Sequence, residues 1–302
     1  MRKKHPILLV IGSSGQVGWE LLRTLAPVGR VVGASLEGSG GPTVDLMQPG
    51  SLSDLMSEVK PDIVINAAAY TAVDKAEQEP GLAAAINADA VGELGRLAAA
   101  AGIPVVHYST DFVFDGITDR PYLEDDGPAP LGVYGQTKLA GEQALASSGA
   151  TYLVFRTAWV YGVRGANFML TMRRLFNERD DVRVVADQTG APTWSRMLAE
   201  ATATILTRVF QGNLDPESVT GVYHMTAGGS TSWFGFAQAI LEANVANCRL
   251  TPISSSEYPT PARRPAYSVL DNGKLERSFG IALPDWRVSL RQCLEDLNPK
   301  TL

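Results

Sequence analysis

"VIGSSGQVGWE", residues 10–20, decides the fold. The short apolar run "PILLVIG" (6–12) stops at Gly12, and the amphipathic stretch "QVGWELLRTLAP" (16–27) follows within a few residues. Gly12, Gly15 and Gly18 recur at every third position across the join. Glycine allows a tight turn with no side chain in the way, so backbone N–H groups at a helix start can approach an anion. A strand, a glycine turn and a helix in that order form the seat for a dinucleotide pyrophosphate. Gln16 and Val17 fall in the same turn and are expected at the same ligand.

The same rhythm continues outward. "RVVGAS" (30–35), "DIVINAAA" (62–69) and "PVVHYST" (104–110) are short and rich in Val and Ile, as buried parallel strands are. Between them, "GSLSDLMSEVK" (50–60) and "PGLAAAINADAVGELGRLAAAAG" (80–102) carry helix formers at helical spacing, the second closing on Gly102. Alternating strands and helices specify an α/β fold with a doubly wound parallel sheet of Rossmann type. After "YLVFRTAWVYG" (152–162) the alternation loosens. Helices are expected over 167–181 and 193–210, and a strand returning to the main sheet over 221–228. The expected plan is a dinucleotide-binding domain over 1–162, with that returning strand, and a smaller substrate-binding lobe over most of 163–302.

Bulk properties narrow the function. The chain has 302 residues, 45% of them hydrophobic, and a formal net charge of −6. An acidic balance argues against a nucleic-acid partner. Cys248 and Cys293 are too few for a disulfide framework and read as reduced thiols of a cytoplasmic protein. The basic N-terminus and the apolar run after it read as a first strand, not a signal peptide. No apolar stretch is long enough to span a membrane. His5, His107 and His224 are scattered, and no spacing suggests a metal site.

Strand ends supply the remaining candidates. Ala67, Ala68 and Ala69, after the third strand, are small enough for a flat group to lie against them. Asp45, next to Leu46, could meet an adenine amino group or cap the following helix. At the end of the second strand, a carboxylate would bond the adenine ribose 2′-hydroxyl and repel a 2′-phosphate. Ser35 stands there and adds no charge, so NADPH is expected to serve at least as well as NADH. In "VYGQTK" (133–138), Tyr134 and Lys138 lie one helical turn apart. A free phenol has a pKa near 10, and a nearby cation would lower it. Thr110 ends "HYST" at a strand terminus, where ligands bind in such sheets. Thr110, Tyr134 and Lys138 therefore form one expected constellation of positioner, general acid and tuner.

These blocks together resemble the extended short-chain dehydrogenase/reductase superfamily, and within it the dTDP-4-dehydrorhamnose reductase family. "GSSGQVGWEL", "NAAAYTAVDKAE", "HYSTDFVFDG", "VYGQTKLAGE", "FRTAWVYG", "DQTGAPT" and "YPTPARRP" match that family's blocks in order, from about Ile7 to about Cys293. The resemblance implies NADPH- or NADH-dependent reduction of the C4 ketone of dTDP-4-dehydro-6-deoxy-L-mannose to dTDP-L-rhamnose. It implies that Tyr134 protonates the carbonyl oxygen, that Lys138 binds the nicotinamide ribose and that Thr110 bonds the substrate. Asp111 and Trp159 match positions near the sugar. Asn167, Arg263 and Arg264 are the candidates for the nucleotide diphosphate, for which arginine's fork is suited.

Related dehydratases carry Thr-Asp-Glu, and this chain has Thr110-Asp111-Phe112, so elimination lacks its second acid. An epimerase is a poorer match. The regulatory subunit of methionine adenosyltransferase resembles the same family, which makes a non-catalytic subunit the alternative of a different class. The resemblance also implies a homodimer linked by magnesium through acids after "GQxGWE" and after "GAPT". Glu20 is present, but Trp194, Ser195 and Arg196 stand where the second acid would be, and Arg196 would repel a bridging magnesium ion.

Overall fold

The computed structural model describes residues 5–38, 40–244 and 247–297. The basic residues Arg2, Lys3 and Lys4 lie outside them. Six parallel strands form the main sheet: β1 (Ile7–Ile11), β2 (Arg30–Ala34), β3 (Ile63–Asn66), β4 (Val105–Thr110), β5 (Tyr152–Thr157) and β6 (Gly221–His224). Their order is β6-β5-β4-β3-β1-β2. The chain leaves β1 toward β2 on one side and returns to β3 on the other. A crevice opens at such a reversal, outside the carboxyl ends of the strands. Register brings those ends level. Ile11 faces both Ala34 and Asn66, Asn66 faces His107, and Thr110 faces Thr157.

Alternation along β1 shows why its residues are all apolar. Leu8 and Val10 join one core with Leu21, Leu25, Leu198 and Leu206. Leu9 and Ile11 join the opposite core with Leu52, Leu55 and Leu94. Helices cover both faces, so no position on the strand is solvated. Each fully buried Leu contributes about 1.5–3 kcal/mol by leaving water.

The first face is completed from far along the chain. Helix Ser195–Phe210 packs beside helix Gln16–Thr24, where the Thr24 hydroxyl donates to the Ala199 carbonyl at 3.2 Å. A separate core gathers Tyr161, Met169, Phe176, Phe236 and Trp286 from the second half of the chain. Cys248 and Cys293 are buried, unpaired thiols.

One expected element is corrected. The stretch 80–102 is not a single regular helix. It runs as α-helix Pro80–Ala84, a π-helical turn Ala85–Asp89 and α-helix Ala90–Ala101, closed by Gly102 in the left-handed region. The wide turn carries the Asn87 carbonyl against helix Val133–Ala146, where a Cβ on Gly141 would lie 2.0 Å from that oxygen. π-Turns of this kind mark functional sites more often than chance.

Candidate active site

The glycine turn floors a cleft of about 570 Å³ at the carboxyl ends of the strands. Gly12 has φ +81, and a Cβ there would lie 2.6 Å from the Ala68 nitrogen. Gly15 heads helix Gln16–Thr24 with no side-chain cap, leaving its first amides available to an anion. Gly12, Gly15, Gln16 and Val17 line the cleft. Gly18 does not. A Cβ on it would lie 2.1 Å from the Gly12 carbonyl, so its smallness lets the helix cross the turn.

At one end of the cleft stand Ser35, Asp45 and Leu46. Ser35 is 3% exposed, and its hydroxyl has no hydrogen-bond partner among the described residues. An orphaned hydroxyl facing a cleft is the kind of group a ligand satisfies. Asp45 Oδ1 accepts from Met47 N at 2.9 Å, so its carboxylate closes a local turn; the N-cap of the following helix is Gly50. Along the floor, Ala67, Ala68 and Ala69 follow β3, and the Asn66 carboxamide oxygen accepts from Ala68 N at 3.1 Å.

At the other end, helix Val133–Ala146 points Tyr134 and Lys138 at the cleft. Its N-terminus is fixed from outside, because Val133 N donates to Glu77 Oε1 at 2.9 Å. Desolvation pushes the Tyr134 phenol up to about 12, and the Thr110 hydroxyl pulls it partly down. The phenol is therefore protonated at neutral pH. Thr110 Oγ1 donates to Asp111 Oδ1 at 3.1 Å and accepts from Phe112 N at 3.2 Å. Asp111 is 1% exposed, and its Oδ2 has no partner among the described residues. Burial raises its carboxyl to about 6, against the pull of the Ser268 and Thr110 hydroxyls. Phe112 meets the Tyr134 ring edge-on at 5.7 Å.

Lys138 corrects a simple expectation. Its Nζ donates to the Tyr108 carbonyl at 2.7 Å and meets His107 Nε2 at 3.1 Å, so its direct partners are on β4. It is not among the groups that shift Tyr134 in this state. Lys138 is 1% exposed, and burial lowers its pKa to about 8 while Glu142 pulls it up.

His107 and several neighbours escape sequence reading. A histidine inside a Val-rich strand looks like core. Here the buried ring bridges Lys138 and the Asn66 carboxamide, whose Nδ2 lies 3.2 Å from His107 Nδ1. Asn87 receives Tyr70 N on its Oδ1 at 2.9 Å and donates to Thr137 Oγ1 at 3.2 Å, tying the π-turn to the tyrosine helix. Glu142 and Arg156 form a buried ion pair at 2.6 Å, which the Ser109 hydroxyl joins. The spacing Tyr134, Lys138, Glu142 is the only hint of it in the sequence: one more turn of the same helix face.

The expected substrate residues are dispersed. Trp159 stacks on Trp233 with ring centroids 3.5 Å apart and holds φ +47, a conformation rare for a bulky residue. Asn167 is a correction. Its Oδ1 caps helix Phe168–Glu178, and its Nδ2 faces Gln16 Oε1 and the Gly162 and Arg164 carbonyls. That leaves no donor for a diphosphate. Instead Asn167 ties helix Phe168–Glu178 to Gln16 beside the glycine turn. Arg264 is engaged with Asp74 at 2.8 Å, whereas Arg263 is exposed.

Comparison with known proteins decides the family. The model of the RmlD substrate binding domain matches residues 6–298. A dTDP-4-dehydrorhamnose reductase of Burkholderia thailandensis is 47% identical over 96% of this chain and 98% of its own. The chain belongs to the dTDP-4-dehydrorhamnose reductase family. A family member of Escherichia coli K12 is 43% identical over 96% of this chain and 97% of its own. The reductase of Bacillus anthracis, solved in complex with NADP, superimposes with a TM-score of 0.88 at 32% identity. The match covers 97% of this chain and 99% of that one. As a member of this reductase family, the chain is an oxidoreductase that uses a nicotinamide cofactor. No helix among the described residues is long and apolar enough to cross a membrane.

Proposed function

We propose that this chain reduces the C4 ketone of dTDP-4-dehydro-6-deoxy-L-mannose to dTDP-L-rhamnose, with Tyr134 as the proton donor. The observation that carries the reading is the shared cleft. The glycine turn, Tyr134 and Lys138 line one cavity, and Thr110 and Asp111 stand at the strand end beside it. The bare cradle at Gly12 and Gly15 and the orphaned Ser35 hydroxyl fit a dinucleotide. A bound NADPH or NADH supplies the hydride.

The chain's own groups do the rest. Tyr134 enters the reaction protonated, as a general acid for ketone reduction must. Thr110 orients the ketone oxygen toward the phenol. Asp111, with one unpaired carboxylate oxygen, accepts from a sugar hydroxyl. Lys138 holds the ribose and favours the phenolate that is left once the proton has gone. An aromatic ring occupies the place beside Tyr134 where an elimination base would act, which favours reduction over dehydration.

Three finer points belong to the same reading. Ser35 tolerates the 2′-phosphate, so NADPH serves at least as well as NADH. Residues 1–162 with the strand at 221–228 hold the cofactor, while the lobe built mainly from 163–302 closes over the nucleotide sugar. Two buried thiols suit a cytoplasmic protein, and a homodimer is the assembly the family resemblance favours.

The test is a coupled assay in which the keto-sugar is generated in place and the absorbance of the reduced cofactor is followed. Loss of absorbance with formation of the 6-deoxy sugar is expected. No oxidation of either cofactor in the presence of the keto-sugar would favour the non-catalytic alternative.

A further inference from the structure

Helices Gln16–Thr24 and Ser195–Phe210 pack together, and side-chain ion pairs join them to helix Trp286–Leu297. The first contributes Glu20, the second Arg196 and Glu200, and the third Asp296. Glu20 is 2% exposed. A carboxylate so enclosed is costly unless a cation and hydrogen bonds compensate it. Arg196 provides both. Its Nε donates to Glu20 Oε2 at 3.3 Å, and its Nη1 pairs with Asp296 Oδ2. The guanidinium also lies over the Trp194 ring at 4.7 Å. Glu200 sits in the same field. Desolvation raises its carboxyl first, Arg196 lowers it, and Glu20 and Asp296 raise it further.

The family resemblance implies a magnesium ion at this junction, and the residues present do not fit one. Magnesium requires near-octahedral oxygen ligands at about 2.0–2.1 Å. Arginine has only donors to offer and carries a positive charge of its own. Its guanidinium already stands between the Glu20 and Asp296 carboxylates. Among the described residues, no group of three or more His, Cys, Asp and Glu is arranged to hold a metal.

We infer that Arg196 is a built-in cation that locks the helix after the glycine turn to the C-terminal helix, so that this junction needs no divalent metal. The guanidinium satisfies two carboxylates from two elements distant in sequence while remaining covalently part of a third. A mobile ion tied to solution concentration is thereby replaced by a fixed one. The inference concerns the scaffold, and it stands or falls independently of the reaction assigned above.

Thermal unfolding of the full chain, with chelator and with millimolar magnesium, tests it in the wild type, Arg196→Met and Arg196→Glu. The wild-type Tm should be the same in both media. Arg196→Met strands the buried Glu20 and should lose at least about 5 °C in both. Arg196→Glu should be destabilised in chelator and recover in magnesium, because the third carboxylate creates a site whose occupancy stabilises the fold by mass action. Binding of manganese, followed by its paramagnetic resonance signal, should appear in Arg196→Glu and be absent at this junction in the wild type. A wild-type Tm that falls on chelation overturns the inference without reliance on any variant's folding. So does an Arg196→Met protein as stable as the wild type, or an Arg196→Glu protein indifferent to magnesium.

Discussion

Lys138 Nζ lies 3.1 Å from His107 Nε2 and donates to the Tyr108 carbonyl at 2.7 Å, so β4 holds this buried ammonium at two points. Ala68 N donates to Asn66 Oδ1, so the Asn66 amide group faces His107 Nδ1. Burial and then Lys138 push the imidazole's pKa down, and the Asn66 backbone pulls it partly up. A neutral imidazole accepts at one nitrogen only, and Nε2 is the one that faces the lysine. The charged lysine is penalised by burial, and Glu142 offsets part of that cost.

Lys138 titrates at about 8 in the fold against an ordinary 10.5. Between those values the unfolded chain binds more protons, so stability rises with pH from about 8 to about 10.5 and the cost is full below 8. Lys138→Met should abolish turnover yet stabilise the cofactor-free protein at pH 7, by on the order of 1–3 kcal/mol. Its advantage over the wild type should shrink as pH rises toward 10. Urea unfolding at both pH values measures this. A variant that is less stable at pH 7, or an advantage that does not change with pH, contradicts it.

Asp111 gives a second pH signature. Its carboxyl titrates near 6, raised by burial. As pH falls through that value, the carboxylate that accepts from the sugar hydroxyl is lost, so kcat/KM should drop. kcat/KM reports the free enzyme, the state whose carboxyl is raised. Asp111→Asn should lower kcat/KM at pH 8 and remove the step near 6. A step that survives the substitution belongs to another group.

Ser35 sets the cofactor balance. Ser35→Asp should reduce kcat/KM for NADPH by at least about tenfold, roughly 1.4 kcal/mol, and leave NADH the better substrate. Steady-state kinetics with both cofactors would show it. An unchanged NADPH value would mean that the 2′ end of the ligand is read elsewhere.

The parts of this architecture legible in the sequence are those whose physics is local. Gly12, Gly15 and Gly18 announce the turn because only glycine fits beside Ala68 and the Gly12 carbonyl. The strands announce themselves because both faces are buried, which forces apolar runs. The π-turn at Ala85–Asp89 is not announced, because it answers to Gly141 on a helix more than fifty residues later. Asn167 reads as a polar residue free for a ligand, and only the fold shows it spent on a helix cap and on Gln16. His107 is silent for the same reason: inside a strand, a buried relay and a buried filler look alike. Arg196 is visible as an oddity in "APTWSR", but its two carboxylate partners lie on helices far away in the chain.

Turnover of Tyr134→Phe on the keto-sugar, measured beside its affinity for the cofactor, shows whether the phenol supplies the proton. A loss of roughly 10²–10⁴-fold in kcat is expected, with cofactor binding and thermal stability close to wild type, because one hydroxyl supplies the proton and little else. A Tyr134→Phe enzyme that turns over the keto-sugar at near the wild-type rate would contradict it.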